Sequence, residues 1–300
     1  MPDLLCLGEP LFEFSHIHDR DWREGVGGDV SNVAIAAARQ GASAGVISRL
    51  GRDSFGAAIR RLWDEEGVDH GFVSEDDAPT GLYFIRHDAD GHHFEYRRAG
   101  SAASRLARSD LDGLTDCGAR MLHVSGISLA VSESCRDAAF EAAHVMRRAG
   151  ARIAFDPNLR LNLTTLEAAR AAQRDWFGAG CHIALPGLED ARALTGQHSP
   201  DDIAAWYLNA GAEVVALTLG QDGALVATSS GRHHIPPRPT TAVDASGAGD
   251  CFDGCFLSRL LAEDPAPDAA RYAVTAASLS VEGHGAVTPI PHADAVCAAL

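Results

Sequence analysis

The sequence predicts an α/β protein that has a mostly parallel central sheet, helices on both faces of it, and a small separate β-sheet. Three observations predict this class. Short apolar runs alternate with segments of helical periodicity through most of the 300 residues, as repeated βα units do. An aromatic-rich hairpin pattern interrupts the alternation between about residues 72 and 98. A glycine-rich turn at residues 244–250 leads directly into a helix.

The first part of the chain contributes to both predicted sheets. Apolar runs indicate buried strands, alternating patterns indicate half-exposed strands, and apolar residues three and four apart indicate helices. In order, the pattern predicts a strand over 4–8, a half-exposed strand over 11–18, a helix over 31–40, a strand over 44–48 and a helix over 55–66. Gly41 and Gly67 fit the ends of the two helices, because glycine is favoured just beyond a helix C-terminus.

A hairpin pattern follows. Residues 81–86 and 93–97 are rich in aromatic and β-branched side chains, and they flank the sequence Asp88-Ala89-Asp90-Gly91-His92. An Asp-Gly pair between such segments favours a tight turn between two strands. We therefore expect residues 11–26 and 72–100 to form a small sheet, separate from the main body.

The remainder of the chain alternates strands and helices without a long linker. The predicted strands are 121–125, 152–155, 182–185, 214–219 and 224–228, and the predicted helices are 134–149, 166–177, 201–209, the segment after 250, 267–282 and a short C-terminal one. We assign residues 1–10, 27–71 and 101–300 to one large α/β domain. Ligands of such domains bind beyond the carboxyl ends of the strands.

Composition excludes several classes of function. The net charge is −16, whereas nucleic-acid binding needs clustered basic side chains. No apolar run approaches the length that spans a membrane, and the first residues lack the features of a signal peptide. We therefore expect a cytoplasmic protein with neither a nucleic acid nor a membrane as partner.

All 25 basic residues are arginine. The absence of lysine excludes the Walker-A and protein-kinase classes, and it excludes Schiff-base chemistry on a lysine. The seven cysteines include no C-x-x-C pair, so neither a zinc site nor a redox pair is indicated.

The glycine-rich turn reads Asp244-Ala245-Ser246-Gly247-Ala248-Gly249-Asp250. Small residues let backbone N–H groups converge, and the helix N-terminus adds positive potential, so the turn suits a phosphate or a developing oxyanion. Asp250 would repel that anion. Its presence makes sense if it takes a proton from a nucleophile that attacks the anion, and we therefore expect phosphoryl transfer.

Two motifs together resemble a known family. The 244–250 turn and the segment Gly27-Gly28-Asp29-Val30-Ser31-Asn32 are similar to the paired signatures of the ribokinase-like (PfkB) sugar kinases, and the similarity extends through nearly the whole chain. Further motifs resemble the family's 2-keto-3-deoxygluconate kinase branch: Gly8-Glu9, Thr80-Gly81-Leu82-Tyr83, Tyr96-Arg97-Arg98-x-Gly100-Ser101-Ala102-Ala103, Ser125-Gly126-Ile127-Ser128-Leu129-Ala130 and Asp156-Pro157-Asn158-x-Arg160. The resemblance implies a ribokinase-like three-layer sandwich whose β lid covers a sugar.

The resemblance implies transfer of the γ-phosphoryl group of ATP, with Mg²⁺, to the terminal hydroxyl of 2-keto-3-deoxygluconate. Asp250 would be the general base. The backbone N–H groups of Gly247, Ala248 and Gly249 would stabilise charge on the transferring phosphoryl group.

The resemblance also implies binding residues. Gly28, Asn32, Tyr83, Tyr96 and Asp250 would contact the sugar, and Arg98 and Arg160 would hold its carboxylate. An arginine fork suits that task, since it binds a carboxylate with two parallel hydrogen bonds. Gly220, Gly223, Gly247 and Gly249 would contact the nucleotide, Glu189 would bind Mg²⁺ through water, and Asp244 would belong to a potassium site. The chain departs from the family at Thr218, where lysine is common, and at Ala245, where threonine is common.

Two alternatives remain open at this point. One is a kinase of the same family that acts on fructose or another neutral hexose, and the other is a non-catalytic sugar-binding protein on the same scaffold. Arg98 and Arg160 discriminate between a sugar acid and a neutral sugar, whereas Asp250 and its glycine turn argue for catalysis. The family's lid often pairs with a second lid, so the resemblance also implies a homodimer.

Overall fold

A large, mostly parallel sheet forms the centre of the computed structural model, which describes residues 1–88 and 91–300. Strands and helices are numbered in chain order. Within the described residues the sheet has nine strands, which lie side by side in the order β13 (Gly231–Ile235), β12 (Ala224–Thr228), β11 (Val214–Thr218), β10 (Ile183–Ala184), β9 (Arg152–Asp156), β8 (Met121–Ser125), β1 (Leu4–Leu7), β4 (Ala44–Gly51) and β5 (Asp69–Asp76). Neighbours run parallel, except that β12 is antiparallel to both β11 and β13.

The buried strand β1 is the topological switch point of the sheet, because β4 and β5 lie on one side of it and β8 to β13 lie on the other. Leu4 pairs with Ala44 of β4 on one side and with Met121 of β8 on the other. All four residues of β1 are buried, as expected of a parallel strand covered on both faces. Crevices at the carboxyl ends of strands on either side of such a switch point are where open α/β sheets bind ligands.

Helices cover both faces of the sheet, which confirms the predicted three layers. One face packs against α1 (Asp29–Arg39), α2 (Ser54–Glu66), α8 (Ala248–Leu261), α9 (Ala266–Ser280) and α10 (Ala293–Ala299). The other packs against α3 (Gly126–Ala130), α4 (Glu133–Arg148), α5 (Leu166–Gly178), α6 (Leu188–Thr195) and α7 (Pro200–Asn209). Among the described residues, none of these helices is long and apolar enough to cross a membrane.

The two ends of α2 are marked by residues that favour helix boundaries, which explains why the sequence predicts this helix. The Asp53 carboxylate accepts a hydrogen bond from the N–H of Gly56 at 2.8 Å, which caps the start of the helix. Gly67 ends it with φ 69°, a left-handed conformation that costs glycine little.

The small sheet is separate from the large one. It contains β3 (Asp21–Gly27), β2 (Leu11–His18), β6 (Leu82–Asp88) and β7 (Gly91–Arg97), in that order. Strands β6 and β7 pair antiparallel, with Tyr83 opposite Tyr96, so the predicted hairpin is confirmed. The centre of its predicted turn, residues 89 and 90, lies outside the described residues.

Three strands were not predicted, namely β3, β5 and β13. Residues 72–76, assigned to the small sheet from the sequence, belong instead to β5 and pair with β4 of the large sheet. Both β5 and β13 are edge strands with many exposed or half-buried residues, and an edge strand lacks the continuous apolar run of a buried parallel strand.

Candidate active site

A cavity of about 700 Å³, here named the lid cavity, lies between side chains of the small sheet and residues that follow β1 and β9. Its lining includes every residue that the sequence assigns to the sugar: Gly28, Asn32, Tyr83, Tyr96, Arg98, Arg160 and Asp250. The structure therefore brings these seven residues together from separate segments of the chain.

Asp250 lies in the first turn of α8 and faces this cavity. Its Oδ2 accepts a hydrogen bond from Nδ2 of Asn32 at 2.8 Å. Removal from water and the negative charge of Asp29 raise the pKa of Asp250 to about 7, although the Asn32 hydrogen bond and the charge of Arg160 oppose this shift. A carboxyl group with this pKa can accept and return a proton near neutral pH.

The turn before Asp250 contains one position that only glycine fits and one position that adjoins open space. Gly247 has φ 71°, and a Cβ there would lie 2.9 Å from the carbonyl oxygen of Ala286, so the position requires glycine. The N–H of Ala248, expected to face the anion, donates instead to the carbonyl of Ala245 at 3.2 Å. A Cβ on Gly249 would meet nothing within 4 Å in the described chain beyond the backbone of its own helix. Open space therefore adjoins Gly249.

Gly28 and Asn32 are positioned by the start of α1. Gly28 has φ 100°, and a Cβ there would lie 2.4 Å from the carbonyl oxygen of Glu9. One helical turn later, the Nδ2 of Asn32 is bonded to Asp250, whereas its buried Oδ1 has no partner among the described residues. That oxygen is an acceptor available to a sugar hydroxyl in the lid cavity.

The lid contributes Tyr83 in a fixed orientation. Its hydroxyl donates to the buried Oε2 of Glu13, and its ring stacks on Tyr96 with centroids 5.9 Å apart. A Cβ on Gly27 would lie 2.2 Å from the Tyr83 hydroxyl oxygen, so Gly27 leaves room for that side chain. Burial raises the pKa of Glu13. Sequence reasoning missed Glu13, since only the folded lid shows that it meets Tyr83.

Arg98 forms an ion pair with Glu9. Glu9 is 1% exposed and the Arg98 side chain 10%. The guanidinium also lies over the Tyr96 ring, 5.2 Å from its centroid, and its buried Nε has no partner among the described residues. Glu9 stood in the Gly8-Glu9 motif without an assigned role. It offsets much of the charge that Arg98 would present to a carboxylate.

Arg160, in contrast to the buried Arg98, is exposed to solvent. It follows Asn158, which has φ 34°, and its side chain is exposed, with Nη1 donating to the carbonyl of Leu159 at 3.0 Å. The Leu159 N–H is held in turn by Oδ2 of Asp190 at 2.8 Å. Arg160 thus lies where solvent meets the lid cavity, without a carboxylate partner in the described contacts.

Two further carboxyl groups, the buried Asp253 and the half-buried Asp156, lie behind the site. Asp253, one turn after Asp250 on α8, is 2% exposed, and its Oδ2 has no partner among the described residues. Burial, then the charges of Asp156 and Asp250, raises the pKa of Asp253. The pKa of Asp156 is likewise raised, first by burial and then by Asp250 and Asp29. Sequence reasoning assigned no role to Asp253, although its i+3 spacing from Asp250 places both on one face of the helix.

A second cavity, of about 520 Å³, lies beside α8 and α9; we name it the helix cavity. Gly220, Gly223 and Gly249 line it, as the sequence predicts for a nucleotide, whereas Gly247 lines the lid cavity instead. Ala245 borders both cavities. The two cavities therefore meet at the glycine-rich turn.

The two residues assigned to metals lie outside these linings. Glu189 pairs with Arg192 at 2.7 Å and its side chain is 82% exposed. Asp244 accepts from the N–H of Ser246 and from that of Gly285, both at 2.9 Å, and so joins the turn to the C-terminal segment. Among the described residues, no group of three or more His, Cys, Asp or Glu side chains is placed to hold a metal ion.

Comparison with known proteins places residues 1–293 under the family model described as "pfkB family carbohydrate kinase". The chain is 32% identical to the 2-dehydro-3-deoxygluconokinases of Bacillus subtilis (96% of this chain, 92% of the relative) and of Thermoproteus tenax (97% and 92%). It is 33% identical to the probable fructokinase-4 of Arabidopsis thaliana (88% and 84%).

Two solved structures are similar over nearly their whole length. The PfkB protein from Polaromonas sp. JS666 superposes with a TM-score of 0.90 at 32% identity, covering 99% of this chain and 100% of that one. The Vibrio cholerae fructokinase, in a form with fructose, ADP and calcium ion bound, gives 0.90 at 26% identity, with 99% of each chain covered.

Proposed function

The chain belongs to the pfkB family of carbohydrate kinases, and from that premise we propose that it transfers the γ-phosphoryl group of ATP to the terminal hydroxyl of 2-keto-3-deoxygluconate. One observation carries the proposal: Asp250 faces the lid cavity at the turn where that cavity meets the helix cavity. A base at this point stands between a bound sugar and a bound nucleotide.

The proposed reaction follows from that placement. A bond forms between the sugar's hydroxyl oxygen and the γ-phosphorus, the bond to the β-phosphate oxygen breaks, and the hydroxyl proton passes to the Asp250 carboxylate. Asn32 orients that carboxylate through the 2.8 Å hydrogen bond. The N–H groups of Gly247 and Gly249, at the positive end of α8, stabilise the transferring phosphoryl group. When bound with the nucleotide, Mg²⁺ supplies positive charge to the phosphates.

The choice of a sugar acid rests on the cationic side of the lid cavity. Arg160 stands at its opening, exposed and charged. Arg98 also lines the cavity, and its buried Nε has no partner among the described residues. Tyr83 and Tyr96 of the lid close over the same space. The two 2-dehydro-3-deoxygluconokinases among the relatives support the same substrate class.

A neutral hexose is the second candidate, and one observation favours it. Glu9 offsets the charge of Arg98 inside the cavity, which leaves Arg160 as the main cation available to a carboxylate. The fructokinase relative is also 33% identical, over 88% of this chain.

An ADP-release assay with a panel of sugars tests the proposal. We expect the highest kcat/KM with 2-keto-3-deoxygluconate and a lower value with fructose, in the presence of Mg²⁺ and with or without K⁺. A preference for fructose would favour the second candidate. Sugar binding without ADP release from any of these substrates would favour a non-catalytic protein.

We further propose that two copies associate through their lids in the cytoplasm. Ile17 of β2 and Phe94 of β7 expose about half of their surface, 52% and 47%, and exposed apolar side chains on one sheet suit an interface. Sedimentation of the wild-type protein beside an Ile17→Glu, Phe94→Glu double variant tests this. We expect a dimer for the former and a monomer for the latter.

A further inference from the structure

The helix cavity is poor in charge. Among the described residues that line it, Arg238 is the only charged side chain, and the chain has no lysine that could add another cation. A nucleoside triphosphate that enters this cavity therefore meets one guanidinium group. The sequence motifs assigned no role to Arg238.

Arg238 is held in a defined position. Its Nη1 donates to Oε1 of Glu282 at 2.8 Å, and the Thr240 hydroxyl lies 2.7 Å from the same oxygen. That hydroxyl is also 3.1 Å from the carbonyl oxygen of Ser278 on α9. The hydrogen bonds from Arg238 and Thr240 hold the pKa of Glu282 below its usual value. The Arg238 side chain remains 30% exposed, so it is oriented without being enclosed.

The surroundings of Arg238 suit a flat apolar ring. Pro237 and Pro239 flank it in the chain and line the same cavity, and α9 contributes Val274 and Ala277. In the proposed reaction, the first turn of α8 at Gly249 binds the phosphate end of the nucleotide. Glu282 also offsets the charge of Arg238. The planar face of the Arg238 guanidinium is therefore a better contact for a ligand than its positive charge.

We propose that Arg238 binds the nucleoside end of ATP by laying its guanidinium plane against the base. This inference rests on the proposed kinase function. A guanidinium stacks on aromatic faces, whereas a lysine ammonium has no plane. Contact through the face of the ring does not read the hydrogen-bonding edge of the base, so Arg238 contributes equally to binding of ATP and GTP.

Steady-state kinetics of Arg238→Ala test the proposal, with Arg271→Ala as the matched control. Arg271 is also an arginine paired with a carboxylate, Asp268, but lies in neither cavity and is 61% exposed. Because a desolvated cation–π contact contributes about 1–2 kcal/mol, we expect Arg238→Ala to raise the KM for ATP and for GTP by roughly 5- to 30-fold. The KM for the sugar and kcat stay within about twofold of wild type, and Arg271→Ala changes nothing.

Two further measurements separate stacking from a charge contact. Arg238→Lys fails to restore the KM for ATP, and Arg238→Ala weakens inhibition by adenosine but not by tripolyphosphate. An unchanged KM in Arg238→Ala overturns the proposal. So does full recovery in Arg238→Lys together with weaker inhibition by tripolyphosphate. If wild type releases no ADP with any sugar, the proposed function fails, and titration of adenosine into wild type and Arg238→Ala still decides the role of Arg238.

Discussion

The side-chain amide of Asn32 and the carboxylate of Asp250 lie 2.8 Å apart, although 218 residues separate them in the chain. The contact joins the first turn of α1 to the first turn of α8. It leaves the other oxygen of the Asp250 carboxylate available to a substrate proton, and it fixes the carboxylate's direction. The geometry of the proposed reaction depends on this pair.

The pKa of Asp250 predicts how activity depends on pH. With a pKa near 7, the carboxyl group is protonated below that pH and cannot accept the substrate's proton. We therefore expect kcat to fall as the pH decreases through about 7. Asp29→Asn removes a negative charge that raises this pKa. In that variant, the fall in kcat therefore occurs at a lower pH than in the wild type. A wild-type profile that is flat from pH 5.5 to 8 would exclude Asp250 as the group that titrates.

Arg160→Ala tests how the carboxylate of the sugar is held. Loss of a hydrogen-bonded charge contact costs about 1.5–3 kcal/mol, so the KM for 2-keto-3-deoxygluconate rises by roughly 10- to 100-fold. The KM for fructose changes little, because fructose has no carboxylate. Arg192→Ala is the control, since Arg192 is half-exposed, pairs with Glu189 and lines neither cavity. Equal effects on the acid and the neutral sugar would remove Arg160 from the carboxylate site.

Glu9→Gln changes the charge inside the lid cavity. The substitution leaves the buried Arg98 without its ionic partner, and breaking a buried pair costs about 3 kcal/mol of unfolding free energy. It also gives Arg98 an uncompensated charge, so the ratio of kcat/KM for the sugar acid to that for fructose increases. Thermal unfolding and the two substrate assays measure these effects. A lower Tm with an unchanged ratio would assign Glu9 to stability alone.

Gly249→Ala separates stability from nucleotide binding. The added methyl group meets no atom within 4 Å in the described chain outside its own helix backbone, and alanine favours a helix over glycine. We expect Tm to stay the same or rise, whereas kcat/KM for ATP falls because the methyl group occupies phosphate space. Gly254→Ala is the contrasting variant, since its methyl group would lie 2.4 Å from the carbonyl oxygen of Val33. Gly254→Ala should lower Tm. Full activity in Gly249→Ala would show that the phosphates lie elsewhere.

The parts of the fold that the sequence predicted are those with a strong local signal. The buried run of β1 and the helical pattern of α4 were recognisable because parallel strands and amphipathic helices have distinct periods. Strand β13, with three exposed residues among five, has neither pattern, because it pairs only with β12 at the edge of the sheet.

The candidate site was predictable only in part. The positions of Gly28, Asn32 and Asp250 follow from local turns at helix starts. The pairs Glu9–Arg98 and Glu13–Tyr83 join residues 89 and 70 positions apart, and nothing in the spacing of a single sequence shows that they meet. Glu189 stands at a motif position, yet its side chain is exposed and pairs with Arg192. The motif alone does not determine where a side chain points.

The most direct test of Asp250 as the base is turnover by Asp250→Asn, measured as ADP release with 2-keto-3-deoxygluconate. An amide cannot take the proton, so we expect kcat to fall by at least about 100-fold, while calorimetric titration shows sugar affinity close to wild type. Asparagine also removes a carboxyl group whose burial opposes ionisation, so Tm at pH 8 does not fall. Near-wild-type turnover by a folded Asp250→Asn protein would contradict the assignment of Asp250 as the base.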